Sequence, residues 1–276
     1  MKTPLFDLSP RLVYHGVMRR VLPGRYLPPT PSWVTVSSGP LKGGQLYLAT
    51  QATDTWQKMA DGTADDFLFA ALQAGCPVSG ACIWDIGAHF GFHSLSFAAL
   101  VGEKGHVISF EPNPANLERF RMHLEKNPQL SPRIRIVPAA VADKEGEATF
   151  MISDVIESGG SSGSHLSGVD TPSTAGHYLL FRPHKVKLVT VDDLVFKEGY
   201  PAPQAMKIDV EGAEGLVLAG ARATIAKYSP FLLMEIHHIL QMRTAYDFLI
   251  PLGYKIKVED EGNATQSRCF ISALRR

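Results

Sequence analysis

The sequence predicts an α/β fold, a parallel sheet with helices packed on both faces, and three observations predict it. First, short apolar runs recur at 81–86 (ACIWDI), 106–110 (HVISF), 134–137 (IRIV), 206–209 (MKID) and 231–235 (FLLME). Runs of this length with little polar alternation suit strands covered on both faces. Second, amphipathic segments follow the first two runs. Phe92, Leu95 and Ala99 share one face of 91–101, and Leu117, Phe120 and Leu124 share one face of 114–126. Strand and helix in alternation are the mark of βαβ units. Third, the 276 residues are 45% hydrophobic and 20% charged, an ordinary globular composition able to bury a core without staples. At roughly 150 residues per domain the length allows two domains or one large α/β domain.

The elements follow in order. Up to about residue 45 the chain is irregular, broken by Pro23, Pro28, Pro29, Pro31 and Pro40, with one short helix over 14–20 and a strand at 45–48. A helix over 64–74 carries Asp65 and Asp66 in its first turn and stops at Gly75 and Pro77. The strand at 81–86 ends at Gly87, and that at 106–110 ends at Glu111-Pro112. Pro114 suits the first turn of the helix over 114–126. Ser153 to Gly176 is rich in Ser and Gly and breaks the rhythm. Two readings stand for it, a flexible insertion and a loop that covers a substrate. Strands at 186–191 and 206–209, a helix over 214–226, a strand at 231–235, a helix over 239–250 and strands at 255–258 and 269–271 complete the chain. This divides it into an N-terminal cap or lid, 1–80, and a domain over 81–276.

Lys+Arg and Asp+Glu are both 27, so the formal charge is zero. A dedicated nucleic-acid binder would carry a basic excess. Cys76, Cys82 and Cys269 form no CxxC pair and read as small buried hydrophobes in a reducing compartment. No signal-peptide pattern opens the chain, and no run reaches the ~18 apolar residues of a membrane helix. The expectation is a cytoplasmic protein with no membrane or nucleic-acid partner, in which the sequon at Asn263 carries no glycan.

The chemistry gathers where strands end. Asp85-Ile86-Gly87-Ala88-His89-Phe90-Gly91 is a glycine turn between a strand and a helix. Gly87 and Gly91 let backbone approach a ligand, and a helix N-terminus offers free N–H donors. Dinucleotide sites want G-x-G-x-x-G. Here the spacing is G-x-x-x-G after an acid, which suits an ammonium-bearing cofactor such as S-adenosylmethionine (SAM). Glu111 at the end of the next strand can take two ribose hydroxyls, of SAM or NAD alike. Ala142-Asp143 fits either an adenine-bordering turn or a surface turn. Asp209 closes an apolar strand beside the ligand crevice. Glu214 starts a helix, where an acid is favourable in any case. Glu235 and His237 point the same way along an extended segment. His237 reads as a general base or as a structural histidine.

These words, DIGAHFGFHSL (85–95), SFEPNPANLERF (109–120), AAVADKEGEATF (139–150), VTVDDL (189–194), KIDVEGAEGLVLAGA (207–221) and PFLLMEIH (230–237), together resemble the FkbM-type SAM-dependent methyltransferases. The resemblance runs from about Ala81 to Ile239. It implies a class I methyltransferase (Rossmann-like) fold, a seven-stranded sheet with one antiparallel strand near the C-terminus. It also implies O-methylation of a small metabolite, sugar or natural-product hydroxyl. Position by position, Asp85, Gly87, Ala88 and Gly91 match the cofactor loop, Glu111 the ribose acid and Ala142-Asp143 the adenine turn. Asp209 falls beside the methyl group. His89 departs from the asparagine often found there.

The expected mechanism is in-line methyl transfer to a hydroxylated small-molecule acceptor, with Asp209 and His237 as candidate bases and His93 behind them. A variant has Asp209, Glu235 and His237 hold Mg²⁺ or Mn²⁺. Two other readings are a nucleotide-dependent oxidoreductase and a non-catalytic SAM-binding protein of the same fold.

Overall fold

The computed structural model describes residues 30–153, 156, 157, 160, 161, 163–169, 181–259 and 269–275. The expected helix at 14–20 and the sequon at Asn263 lie outside them. The described chain opens with an antiparallel pair, β1 (Ser32–Thr35) and β2 (Gln45–Leu48). Helices α1 (Asp54–Asp61) and α2 (Asp66–Gly75) follow. Thr53 caps α1 by accepting from the N–H of Trp56 at 3.2 Å.

The expected alternation comes next: β3 (Cys82–Ile86), α3 (Phe92–Val101), β4 (His106–Phe110), α4 (Pro114–Lys126) and β5 (Ile134–Val137). Asn113 caps α4, and Pro114 occupies its first turn, where its missing N–H costs nothing. Then come β6 (Ala140–Val141), β7 (Gly146–Ser153), β8 (Ile156–Glu157), β9 (Gly160–Ser161), β10 (His165–Leu166) and β11 (Phe181–Val189). The C-terminal part holds α5 (Val191–Phe196), β12 (Ala205–Ile208), α6 (Glu214–Ala219), α7 (Arg222–Tyr228), β13 (Phe231–Ile236), α8 (Ile239–Leu249), β14 (Tyr254–Glu259) and β15 (Cys269–Arg275).

The central seven-stranded sheet has the order β14-β15-β13-β12-β3-β4-β5. Its pairings are parallel except those of β15, which runs antiparallel to β13 and β14. This is the sheet the resemblance implied. Alternate residues of β3 face opposite layers: Ile83 joins a core with α2, α3 and the β1–β2 region, and Trp84 joins a core with α6, α7 and α8. Each such large side chain contributes roughly 1.5–3 kcal/mol on burial. Residues 36–72 supply Val36, Leu46, Leu48, Trp56 and Leu72 to the first of these cores.

Three expectations need correction. The helix expected over 214–226 is two helices. They part at Gly220, whose α-carbon faces the carbonyl of Ala142 so closely that a Cβ would lie 2.0 Å from that oxygen. The strand expected at 186–191 runs instead from Phe181 to Val189, and Thr190 caps α5 by accepting from Asp193 N–H at 3.0 Å. The span from Ser153 to Gly176 is not wholly structureless. Ser153 ends β7, and His165 and Leu166 pair with Met151 and Phe150 in a second sheet of order β10-β7-β11-β6.

Candidate functional site

Strands β3, β4, β12 and β13 end at one edge of the sheet, and a cavity of about 390 Å³ opens there. Parallel α/β sheets bind ligands at this edge. Gly87, Ala88, His89, Glu111 and Asp209 line it together with Glu235. Thr53, Trp56 and Asp65 reach it from residues 30–80, and Gly163 and Ser164 reach it from the Ser/Gly-rich span. Phe110, Ala139 and Val141 give it an apolar wall.

The loop after β3 is held from two sides. The N–H groups of Gly87 and Ala88 donate to Phe110 O at 3.0 and 2.9 Å. Lys207 Nζ donates to Gly87 O at 2.9 Å. Glu111 is 5% exposed, and three donors hold it: His89 N–H at 2.8 Å, Asn113 N–H at 2.8 Å and Asn116 Nδ2 at 3.3 Å. Burial outweighs these bonds and pushes its carboxyl up to about 7.

Asp85 lies behind the cavity wall rather than in it. It is fully buried, accepts from Ser94 Oγ at 2.6 Å and faces Lys207 Nζ at 3.4 Å. Lys207 neutralises this carboxylate, so the reading in which Asp85 meets a cofactor ammonium has no support in the geometry. Gly91 also stands outside the lining; a Cβ there would meet the Phe120 ring at 2.2 Å, so its role is packing against α4. Ala142 bonds to Val189 O at 2.9 Å and Asp143 is exposed, while the wall near them is formed by residues 139–141.

Lys207 was missed in the sequence reading. It lies in β12 two residues before Asp209 and is 3% exposed. A lysine inside an apolar strand must find carboxylates, and this one has Asp209 Oδ2 at 3.1 Å besides Asp85. Burial alone would lower its pKa; the charges of Asp209 and Asp85 overcome that and raise it. Burial would raise the Asp209 pKa, but Lys207 and His237 hold it below the usual carboxylate range.

His237 is ringed by acids. Nδ1–H donates to Glu214 Oε1 at 2.7 Å, and Nε2 faces Glu235 and Glu211 at 3.4 Å each and Asp209 at 3.7 Å. Burial opposes the charged ring, yet Glu214, Glu235 and Glu211 push the pKa up to about 11. These acids favour a proton on the ring, as they would a cation in its place, and either weighs against His237 as a general base. His93 stands differently. Its Nε2 lies 3.0 Å from Asp65 Oδ2, and both residues line the cavity. Neither Glu211 nor Asp65 was a candidate; their placement depends on loops meeting across the fold, which spacing does not reveal.

The chain matches the family described as the methyltransferase FkbM domain over residues 85–256. The protein belongs to the FkbM methyltransferase family. Residues 85–256 are therefore a methyltransferase domain of this family. It is 27% identical over 155 residues to hexuronic acid methyltransferase AglP of Haloferax volcanii, a match covering 56% of this chain and 55% of that protein. The match thus spans about half the length of that curated relative. Among solved structures, the methyltransferase FkbM of Methylobacillus flagellatus KT superposes with a TM-score of 0.51 at 17% identity, covering 71% of this chain and 44% of the other. That likeness speaks to the fold. Among the described residues, no helix is long and apolar enough to cross a membrane.

Proposed function

We propose that this FkbM-family chain moves the methyl group of SAM to a hydroxyl oxygen of a small, sugar-like acceptor, with residues 30–80 capping the site. The observation that carries the reading is Glu111, a carboxylate fixed by three N–H donors at the wall of a cavity of about 390 Å³. The volume is that of a small-molecule site. A fixed carboxylate suits the two hydroxyls of a ribose, and the Phe110–Val141 side suits a purine. Bound SAM supplies a methyl group made electrophilic by its sulfonium. The chain's own residues would then align the acceptor and receive its proton. Asp209 faces the cavity with its charge fixed by Lys207 and serves the acceptor side. His93, oriented by Asp65, replaces His237 as the group that accepts the hydroxyl proton. The name of the Haloferax volcanii relative supports a sugar-acid acceptor. Composition supports a cytoplasmic enzyme.

Calorimetric titration with S-adenosylhomocysteine tests the reading. Micromolar binding is expected for the wild type. Glu111→Ala should remain folded, with a lowered unfolding midpoint because three N–H donors lose their acceptor, and should lose binding at least a hundredfold. Binding of NAD in place of the SAM product would overturn the proposal.

A further inference from the structure

Asp209, Glu235 and His237 come from two neighbouring strand ends, and one donor atom of each lies within 4.8 Å of the others. Glu235 and His237 are each 6% exposed, so this is not a solvated acidic patch. Glu211, on the turn after β12, adds its Oε2 at 3.4 Å from His237 Nε2. Three carboxylates therefore face one buried ring nitrogen at 3.4–3.7 Å. Charged N–H···O bonds run at about 2.7–2.9 Å. Neighbouring ligands of one cation, each about 2.1 Å from it, stand roughly 3.0–3.4 Å apart. The observed spacing is closer to the second pattern than to the first.

The back of the ring is arranged to match. His237 Nδ1–H is fixed on Glu214, itself fully buried and fixed by Gly212 N–H at 3.0 Å. That bond assigns the other nitrogen, Nε2, as a ligand atom, and a carboxylate behind a metal-binding histidine is the usual orienting device. On the open side, Asp209, Glu211 and Glu235 line the cavity.

Building on the methyl-transfer reading, we propose that Asp209, Glu235 and His237, with Glu211 beside them, bind a divalent cation of the Mg²⁺/Mn²⁺ class, and that the acceptor docks on it through two adjacent oxygens. Three protein ligands leave positions of an octahedral cation open toward the cavity. The acceptor class that fills two of them is a vicinal diol or a hydroxy acid, as on a sugar or sugar acid. Glu214 is a positioning residue: it touches neither cation nor acceptor.

The test is a titration of the full-length, chelator-stripped protein with Mn²⁺, read by the loss of the free-ion paramagnetic resonance signal. One site per chain is expected. Glu235→Gln should abolish it, and Glu214→Gln should weaken it 10–100-fold with SAM-product binding unchanged. Wild-type binding needs no variant, so a misfolded mutant leaves the proposal exposed. No Mn²⁺ binding by a protein that still binds the SAM product overturns the cation site and leaves methyl transfer standing. Mn²⁺ binding with no affinity for SAM or its product upholds the cation and removes the methyl-transfer reading. Mn²⁺ binding that Glu235→Gln does not alter overturns the assignment of these ligands.

Discussion

At Gly87 the chain has no room for one more carbon. Its φ is +85°, and a Cβ would lie 1.8 Å from the carbonyl oxygen of Asp209. The sequence reading had this glycine make room for a ligand. The structure shows that it also makes room for the backbone after the neighbouring strand, which brings the Gly87 loop and Asp209 to one cavity. A single sequence shows that backbone must come close here but not to what. Gly87→Ala should therefore cost about 3 kcal/mol or more, since left-handed strain alone is roughly 1–2 kcal/mol and the clash is with backbone that cannot rotate away. SAM-product binding should fall with it. Urea unfolding and calorimetry check both; a loss of stability under 1 kcal/mol would contradict the close approach.

Among the elements, the joint between β2 and α4 makes the clearest case. One edge of β2 pairs with β1, and its other edge meets side chains of α4. Asn127 Oδ1 accepts from Gln45 N–H and its Nδ2 donates to Gln45 O, both at 2.8 Å. His123 Nε2 accepts from Tyr47 N–H at 2.9 Å, and the Arg119 guanidinium donates to Tyr47 O. Two residues of strand advance about 6.6 Å and four residues of helix about 6.0 Å, so residues 119, 123 and 127 keep step with 45 and 47. The helix side chains act as a further strand. Asn127→Ala should cost about 1–3 kcal/mol by orphaning both Gln45 groups. Amide exchange at Gln45 and Tyr47 should quicken while β3 and β4 amides stay protected; uniform quickening would mean that the joint is not a separate unit.

The same scale shows what could be read in advance. The apolar strands and the helices between them were legible because burial on both faces leaves a run of apolar residues. Strand β7 was not: in GEATFMIS only Phe150 and Ser153 are buried, so there is no such run to see. The polar stripe of Arg119, His123 and Asn127 was visible as a helical spacing but had no partner until β2 was placed. At the site, Glu111 and Asp209 were legible as acids closing apolar strands. The Asp65–His93 pair joins α2 to α3 across the cavity, which no local pattern contains.

On the scale of the whole molecule, two buried groups set opposing responses to acid. Burial raises Glu111 from 4.5 to about 7, against the bonds from Asn113 and His89. Burial also lowers His123 from 6.5 to about 4, and its neutral ring suits the acceptor role toward Tyr47 while Nδ1 lies 2.8 Å from Phe90 O. For Glu111 the folded chain holds a proton that the unfolded chain has released, so its contribution to stability is full below 4.5 and is lost as pH rises to about 7. For His123 the unfolded chain holds the extra proton, so its contribution is full above 6.5 and is lost as pH falls to about 4. Each slope is about 1.4 kcal/mol per pH unit, and they cancel between about pH 4.5 and 6.5. Glu111, before α4, holds the loop after β3, and His123, within α4, holds β2. Glu111→Gln should unmask the histidine: relative to wild type, its stability falls by about 1.4 kcal/mol for each pH unit of acidification from 6.5 to 4.5. His123→Gln keeps an acceptor for Tyr47 N–H and should show the reverse, losing stability relative to wild type as pH rises over that range. Urea midpoints taken at intervals across the window measure both slopes. Parallel profiles for wild type and both variants would show that neither group is held as the structure holds it.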